Sequence, residues 1–313
     1  IEIWLVEDYT VPIISMDFAF IGGSALDPEG KAGLSYMMSG LYDEGAGKLD
    51  AQAFHEKLDD TAVELSFSSN RDRLEGGLRT LTRNSRIAFD LLAMAVNEPR
   101  FDAAAVERVR AQVTASLKRG ETDPDTQVWK AFQTRAFRSH PYGRLEKGTF
   151  ESIAGISRDD IAAVHSARLS RSNLKIAAVG AISAADLGKA VDRVFGHLPK
   201  TVAHAAVADT ALAGLGETLV TTIDVPQSTL ALGRPGIARK DPDFMAAYVA
   251  NHILGGGSFT SRLWTEVREK RGLAYSVWSQ LSTARHAHSF LAGTATSNER
   301  VAESLKIIKA ECL

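Results

Sequence analysis

Cysteine is nearly missing from this chain of 313 residues; Cys312 stands alone. That excludes an internal disulfide framework, and a single thiol cannot decide the redox compartment. No apolar run approaches the roughly 20 residues of a membrane-spanning helix. No excess of one charge is present either. The formal net charge is −2, which gives no case for nucleic acid or an anionic membrane surface as partner. The glycine triplet Gly255-Gly256-Gly257 is not followed by the Gly-Lys-Ser/Thr of a phosphate loop, so nucleotide binding has little support. Signal peptide and initiator Met are both lacking: the chain begins Ile1-Glu2-Ile3-Trp4. A processed or trimmed product is expected, from which an export signal could have been removed.

What is there describes an ordinary globular protein, with 45% hydrophobic and 24% charged residues. The length suits two domains, each with its own core. Ile1 to Glu7 and Ile13 to Phe20 read as paired strands. Leu34, Met37, Met38 and Leu41 have helical spacing. Asp50 to Leu58 reads as a helix and Ala62 to Ser68 as a strand, and Glu75 to Val96 carries long helical periodicity. Asp102 opens a helix with Val106, Val109, Val113 and Leu117 on one side, ended by Gly120. Thr126 to Arg138 and Asp159 to Ala167 are helical, SHPYGRLEKGTFESI is a loop, and Leu174 to Val179 is a strand. Ser183 caps a helix to Phe195.

A diffuse Ala/Thr/Gly stretch, residues 201–217, reads as a linker between a first domain, 1–200, and a second, 218–313. After it the first half begins again. Val11-Pro12 returns as Val225-Pro226, 214 residues on, and GAGKLDAQAFHEKLDDTAVELSFSS from Gly45 returns as GGGSFTSRLWTEVREKRGLAYSVWS, 210 residues on. Such a period means two related domains. By subtraction against the first copy, roughly a hundred residues of the second are expected to lie outside this chain.

The richest stretch runs from Gly255 to Gln280. Three glycines free the backbone for φ > 0, and Ser258 or Ser261 caps the helix that follows. Phe259, Leu263 and Val267 share one face of that helix. Gly272 stops it, leaving Arg271 at its end and Tyr275 on the next strand, close enough to aim at one point. This stretch closely resembles the second-half signature of the pitrilysin/insulinase-like zinc peptidases, the group that includes mitochondrial processing peptidase. The opening LVEDYTVPIISMDFAFIGGSALDPEGKAGLSY, the loop SHPYGRLEKGTFESI and the strand SNLKIAAVG are similar to it too.

The resemblance implies an α+β fold used twice, each domain an antiparallel sheet with helices on one face. It also implies that Arg271 and Tyr275 contact substrate near the scissile bond, where a guanidinium and a phenol can hold a carbonyl and its developing oxyanion. Family enzymes further carry H-x-x-E-H on a first-domain helix, two zinc ligands and a base. At that place the chain reads Gly33-Leu34-Ser35-Tyr36-Met37-Met38-Ser39-Gly40. Tyr36 and Gly40 replace the two His, and Ser39 the Glu. The third ligand's place falls on Ser116, and the second acidic place on that face on Val109. A phenol, a hydroxyl and a glycine do not make a zinc site, so no metal is expected on this chain.

Other residues do not rescue one. His286-Ala287-His288 puts two imidazoles on one side of a strand with no third ligand at the right spacing. His140 precedes Pro141 in a loop, and His55, His165, His197, His204 and His252 are scattered singly. Cys312 has no matched His for nucleophilic work.

Half of an active site therefore remains. The resemblance implies a non-catalytic, substrate-binding subunit of a heterodimeric zinc metalloendopeptidase, with zinc and an intact H-x-x-E-H on a homologous partner. A structural subunit like the core proteins of respiratory complexes, or a peptide-binding protein without cleavage, are the alternatives. Bacterial zinc-free relatives are often exported, which suggests the periplasm, with the cytoplasm as alternative.

Overall fold

Ile14, Met16, Phe18 and Phe20 alternate with Ser15, Asp17 and Ala19, a period of two that buries one face of a strand. The computed structural model, which describes residues 1–312, forms that strand within a mixed α+β fold. In chain order come β1 (Glu2–Glu7), β2 (Ile13–Ile21), α1 (Leu34–Ser39), β3 (Gly45–Ala46), β4 (Leu49–Asp50), α2 (Ala51–Asp60), β5 (Glu64–Ser69) and β6 (Arg73–Leu81). Then follow α3 (Ser85–Asn97), α4 (Ala103–Gly120), α5 (Pro124–Phe137), α6 (Phe150–Ala154), α7 (Arg158–Arg168), β7 (Leu174–Gly180) and α8 (Ala184–Phe195). The last are β8 (Gln227–Pro235), α9 (Phe244–Asn251), β9 (Ala274–Ala284), β10 (Ala287–Ser297) and α10 (Val301–Glu311).

Two units emerge, residues 1–117 with 145–206, and residues 118–144 with 207 onward. In the first, strands run in the order β1-β7-β2-β6-β5, so β1 and β2, expected as partners, are separated by β7. All pairs are antiparallel except β1 with β7, which is parallel. Phe18, Phe20, Leu74, Leu78 and Ile176 turn one sheet face toward Phe89, Leu92, Val191 and Phe195 of the helices, all buried. Burying each such side chain is worth roughly 2 kcal/mol. The opposite face is wet, with Trp4, Val6 and Val179 exposed on it. Ser183 accepts from Asp186 N and opens α8, as its sequence position predicts.

Helical periodicity from Glu75 to Val96 proves half misleading. The chain to Leu81 is strand β6, and the helix begins only at Ser85. The reason lies at Gly76, where an added Cβ would fall 2.2 Å from Cζ of Phe18. The pairing with β2 needs that gap, which holds the Phe18 ring edge-on to Phe67 and Phe195.

In the second unit the order is β8-β10-β9, antiparallel throughout. It repeats the β2-β6-β5 order of the first unit, with a helix after the first strand in each case. Leu263, Val267, Leu273, Val277, Ala292 and Ile308 form its core. Residues 118–144, expected in the first domain, belong here instead. Trp129 of α5 stacks on Trp278 at 5.9 Å, and Phe132 fills the space that Gly233 leaves by lacking a side chain. The stretch expected as a linker has no regular structure but is fastened along its length. Thr210 N donates to His286 O, Ala213 N donates to Ala136 O, and Arg135 pairs with Glu217.

Candidate functional site

In the first unit the start of α1 is held by one buried carboxylate. Asp27 accepts from the backbone N–H of Gly33 (3.2 Å) and Ser35 (3.1 Å), from Ser35 Oγ (2.5 Å) and from Arg168 Nη2 (3.0 Å). Arg168 also donates to Gly23 O and to Ser35 Oγ. Burial pushes the Asp27 carboxyl up, and Arg168 and Ser35 pull it back. Gly33 stands at φ 92°, a backbone that a side chain resists, so the entry into α1 needs glycine there.

The helix so fixed carries the remnant of the motif. Tyr36 is half-buried at the edge of the core, and Ser39 is buried with its Oγ donating to Tyr36 O (2.8 Å). Gly40 faces α4, where a Cβ on it would lie 3.5 Å from Cγ1 of Val109. Ser116, further along α4, accepts from Lys147 Nζ at 3.2 Å, and the same ammonium lies 5.7 Å from the centre of the Tyr36 ring. The fold thus brings the four degenerate positions onto neighbouring faces of α1 and α4. They present a phenol, two hydroxyls and a glycine, and Val109, a fifth position on α4, adds an isopropyl group. Zinc needs anionic or imidazole ligands, so these residues do not fit it. Among the described residues no group of three or more His, Cys, Asp or Glu is gathered as a metal site.

Just beyond the motif, Tyr42 is fully buried and shares a hydrogen bond with His165 Nδ1 (3.0 Å). The rings of Phe101 and Tyr42 flank this imidazole, and burial holds its pKa down to about 4. A base depressed in this way takes its proton more readily in the unfolded chain. Its contribution to stability is full above pH 6.5 and is lost as pH falls toward 4, on the order of 3 kcal/mol in all. Urea unfolding at pH 7 and pH 4.5 checks this. His165→Phe is expected to show a clearly flatter dependence than the unsubstituted chain, and identical slopes would remove His165 as the cause.

In the second unit the glycine triplet does not use left-handed backbone. None of the three has positive φ; Ser258 does, at 50°. His252–Gly256 forms a π-helical turn packed on β9, and a Cβ on Gly255 would meet Ser279 Oγ at 2.5 Å. These glycines serve closeness rather than freedom. Ser261 provides the helix cap, with its Oγ accepting from Trp264 N. Trp264–Glu269 is again π-wound. Phe259, expected on the buried face with Leu263 and Val267, is 67% exposed. It sits in the 3₁₀ turn Ser258–Thr260, ahead of the helix register, and Trp264 is buried in its stead.

Arg271 and Tyr275 find separate partners. Arg271 Nη1 donates to Glu266 O (2.7 Å) and Oε2 (2.6 Å), while Lys270 Nζ takes Oε1. These donors hold the Glu266 carboxyl below its ordinary range. Tyr275 is 81% exposed, with its ring lying 4.6 Å from the guanidinium of Arg268. Arg268 in turn covers Trp264 at 4.1 Å, and Phe259 meets Trp264 edge-on. A groove of about 350 Å³ runs beside this ladder, lined by Gly255, Gly256, Phe259, Trp264 and Trp278 among others. Arg268 belongs to no motif, and its only signal in the sequence is the spacing of four from Trp264 that puts both on one helical face. Lys147 carried no such signal, since only tertiary folding brings it to Tyr36. His286, one of the paired imidazoles, bonds Asp209 through Nδ1 at 2.9 Å.

Two family models match the chain: "Insulinase (Peptidase family M16)" over residues 5–148 and "Peptidase M16 inactive domain" over residues 155–312. A Helicobacter pylori protein described as a non-peptidase homolog, YmxG, is 26% identical over 309 residues, 97% of this chain and 71% of that protein. A probable mitochondrial-processing peptidase subunit beta of Arabidopsis thaliana is 23% identical over 236 residues, 74% of this chain and 44% of that protein. The crystal structure of a peptidase M16 inactive domain from Pseudomonas fluorescens superposes with a TM-score of 0.91 at 28% identity, covering 99% of this chain and 75% of that one.

Proposed function

Because the chain belongs to peptidase family M16, matched in both halves, we propose that it is a zinc-free, substrate-binding subunit acting beside a homologous zinc-bearing peptidase. The donor set on α1 and α4 carries this reading. Tyr36, Ser39, Gly40 and Ser116 offer neither a zinc ligand of ordinary strength nor a proton acceptor, while the Arg271 and Tyr275 places of the family remain filled. Support also comes from the Helicobacter relative, described as a non-peptidase, and from the Arabidopsis relative, described as a processing-peptidase subunit.

The chemistry divides cleanly between two polypeptides. Peptide hydrolysis needs hydroxide delivered from one wall and a carbonyl clamp on the other, and positioning does not require one chain to supply both. Tyr275 provides an O–H donor, and Arg268 beneath it adds positive charge where an oxyanion would develop. In the first unit, strand β5 ends the sheet next to α1 with one backbone edge unpaired, a place where an extended peptide can add as a further strand. The periplasm is the proposed compartment.

The purified chain alone is expected to hold no stoichiometric zinc and to cleave no peptide. Metal analysis finding about one zinc per chain would overturn the proposal. A second reading, an assembly subunit without a part in proteolysis, draws support from the two hydrogen bonds that Arg271 donates to Glu266, which brace the end of the π-wound turn. Activity that appears on mixing with an H-x-x-E-H partner decides for the first reading.

A further inference from the structure

In the first unit the Lys147 ammonium lies against Tyr36 and Ser116, two of the positions where the family motif would carry metal ligands. We propose that this ammonium takes the metal's place and keeps divalent cations off this face of α1 and α4. This rests on the reading above that the chain carries no zinc, and gives it a physical cause beyond missing ligands.

Three observations carry it. The ammonium contacts two of the three ligand positions, donating to Ser116 Oγ and lying over the Tyr36 ring. Both are uncharged acceptors, a hydroxyl and a π face, which suit a monovalent ammonium and would hold a divalent ion weakly. The backbone that carries Lys147 is also pinned. A Cβ on Gly33 would meet Lys147 O at 2.8 Å, and one on Gly148, at φ 76°, would meet Ala32 O at 2.3 Å. Ser152 Oγ further donates to Ala32 O (2.7 Å), joining the start of α6 to the approach of α1. Finally, no carboxylate pairs with Lys147 among the described residues; neighbouring Glu146 is taken by Arg71. No carboxylate neutralises the ammonium, so it repels an incoming dication, in proportion to both charges and weakened by the water around this exposed side chain.

Restoring ligands is insufficient while Lys147 stays, because a carboxylate placed at position 116 would pair with the ammonium that now bonds Ser116, and zinc would have to compete for it. A triple variant, Tyr36→His, Gly40→His and Ser116→Glu, leaves buried Ser39 alone, and the 3.5 Å between a Cβ at Gly40 and Val109 is ordinary contact. Zinc ion is titrated against a fluorescent chelator, with the triple variant compared with the same variant carrying Lys147→Met. The second is expected to bind about ten-fold more tightly at low salt. Equal affinities overturn the proposal, as does failure of both to bind, because the obstacle would then lie elsewhere. Zinc on the unsubstituted chain is a separate outcome, which defeats the zinc-free reading whatever the triple variants do. Should the triple variant misfold, NMR of the lysine side chains decides. The Lys147 ε-protons are expected to be shifted by the Tyr36 ring and to move toward free-lysine values in Tyr36→Leu; no movement overturns the placement.

Discussion

Mixed with a homologous H-x-x-E-H peptidase of the kind proposed as its partner, the chain carrying Tyr275→Phe is expected to turn over peptide on the order of a hundred- to a thousand-fold more slowly than the unsubstituted chain, the usual cost of losing one oxyanion donor. The substitution removes a single hydroxyl. The ring, its seat on Arg268 and the strand β9 stay as they are, so stability should barely move. The loss belongs in kcat if the phenol acts on the transition state, and in KM alone if it is a general peptide contact. Arg271→Ala should cost a similar factor, provided that substrate draws the guanidinium off Glu266. Glu266→Gln tests that point, because it weakens the competing ion pair while leaving both donors in place. An assembly subunit predicts wild-type rates for all three variants.

Asp27→Ala is expected to cost about 3–5 kcal/mol, because it leaves the Arg168 guanidinium buried with no counter-charge. The two residues are 3% and 4% exposed, so water cannot screen the loss. It also frees the N–H groups of Gly33 and Ser35 at the start of α1. Urea unfolding at neutral pH measures the effect. Replacing both partners, Asp27→Leu with Arg168→Met, should recover much of it, since no buried charge is then left over. A single-variant loss below about 1 kcal/mol would mean that Arg168 finds another acceptor.

Much of this was readable from residue order, and the exceptions have physical causes. Strands built on strict alternation, such as Ile13 to Phe20, were legible because a period of two permits one buried face. Caps such as Ser183 were legible because their chemistry is local. Gly76 was not, because its reason is an aromatic ring on a neighbouring strand. The placement of residues 118–144 was hidden for the same reason: Trp129 and Phe132 look like any helix face until Trp278 and Gly233 are beside them. In the candidate site, the degenerate positions were found by motif, whereas Lys147 and the Arg268 ladder were supplied by tertiary contacts. Phe259 lies off the buried face because the segment after the glycines opens with a 3₁₀ turn and is then π-wound, so a spacing of 3.6 residues per turn does not hold there.

A π-wound turn closes its hydrogen bonds over five residues instead of four, so Trp264–Glu269 takes up one more residue than an α-helix would need for the same advance. A homologue that winds the same segment tightly would be one position shorter between Leu263 and Arg271. Any gap-free alignment through it would then set the wrong side chain opposite Arg271, and an intact substrate contact would be scored as a loss.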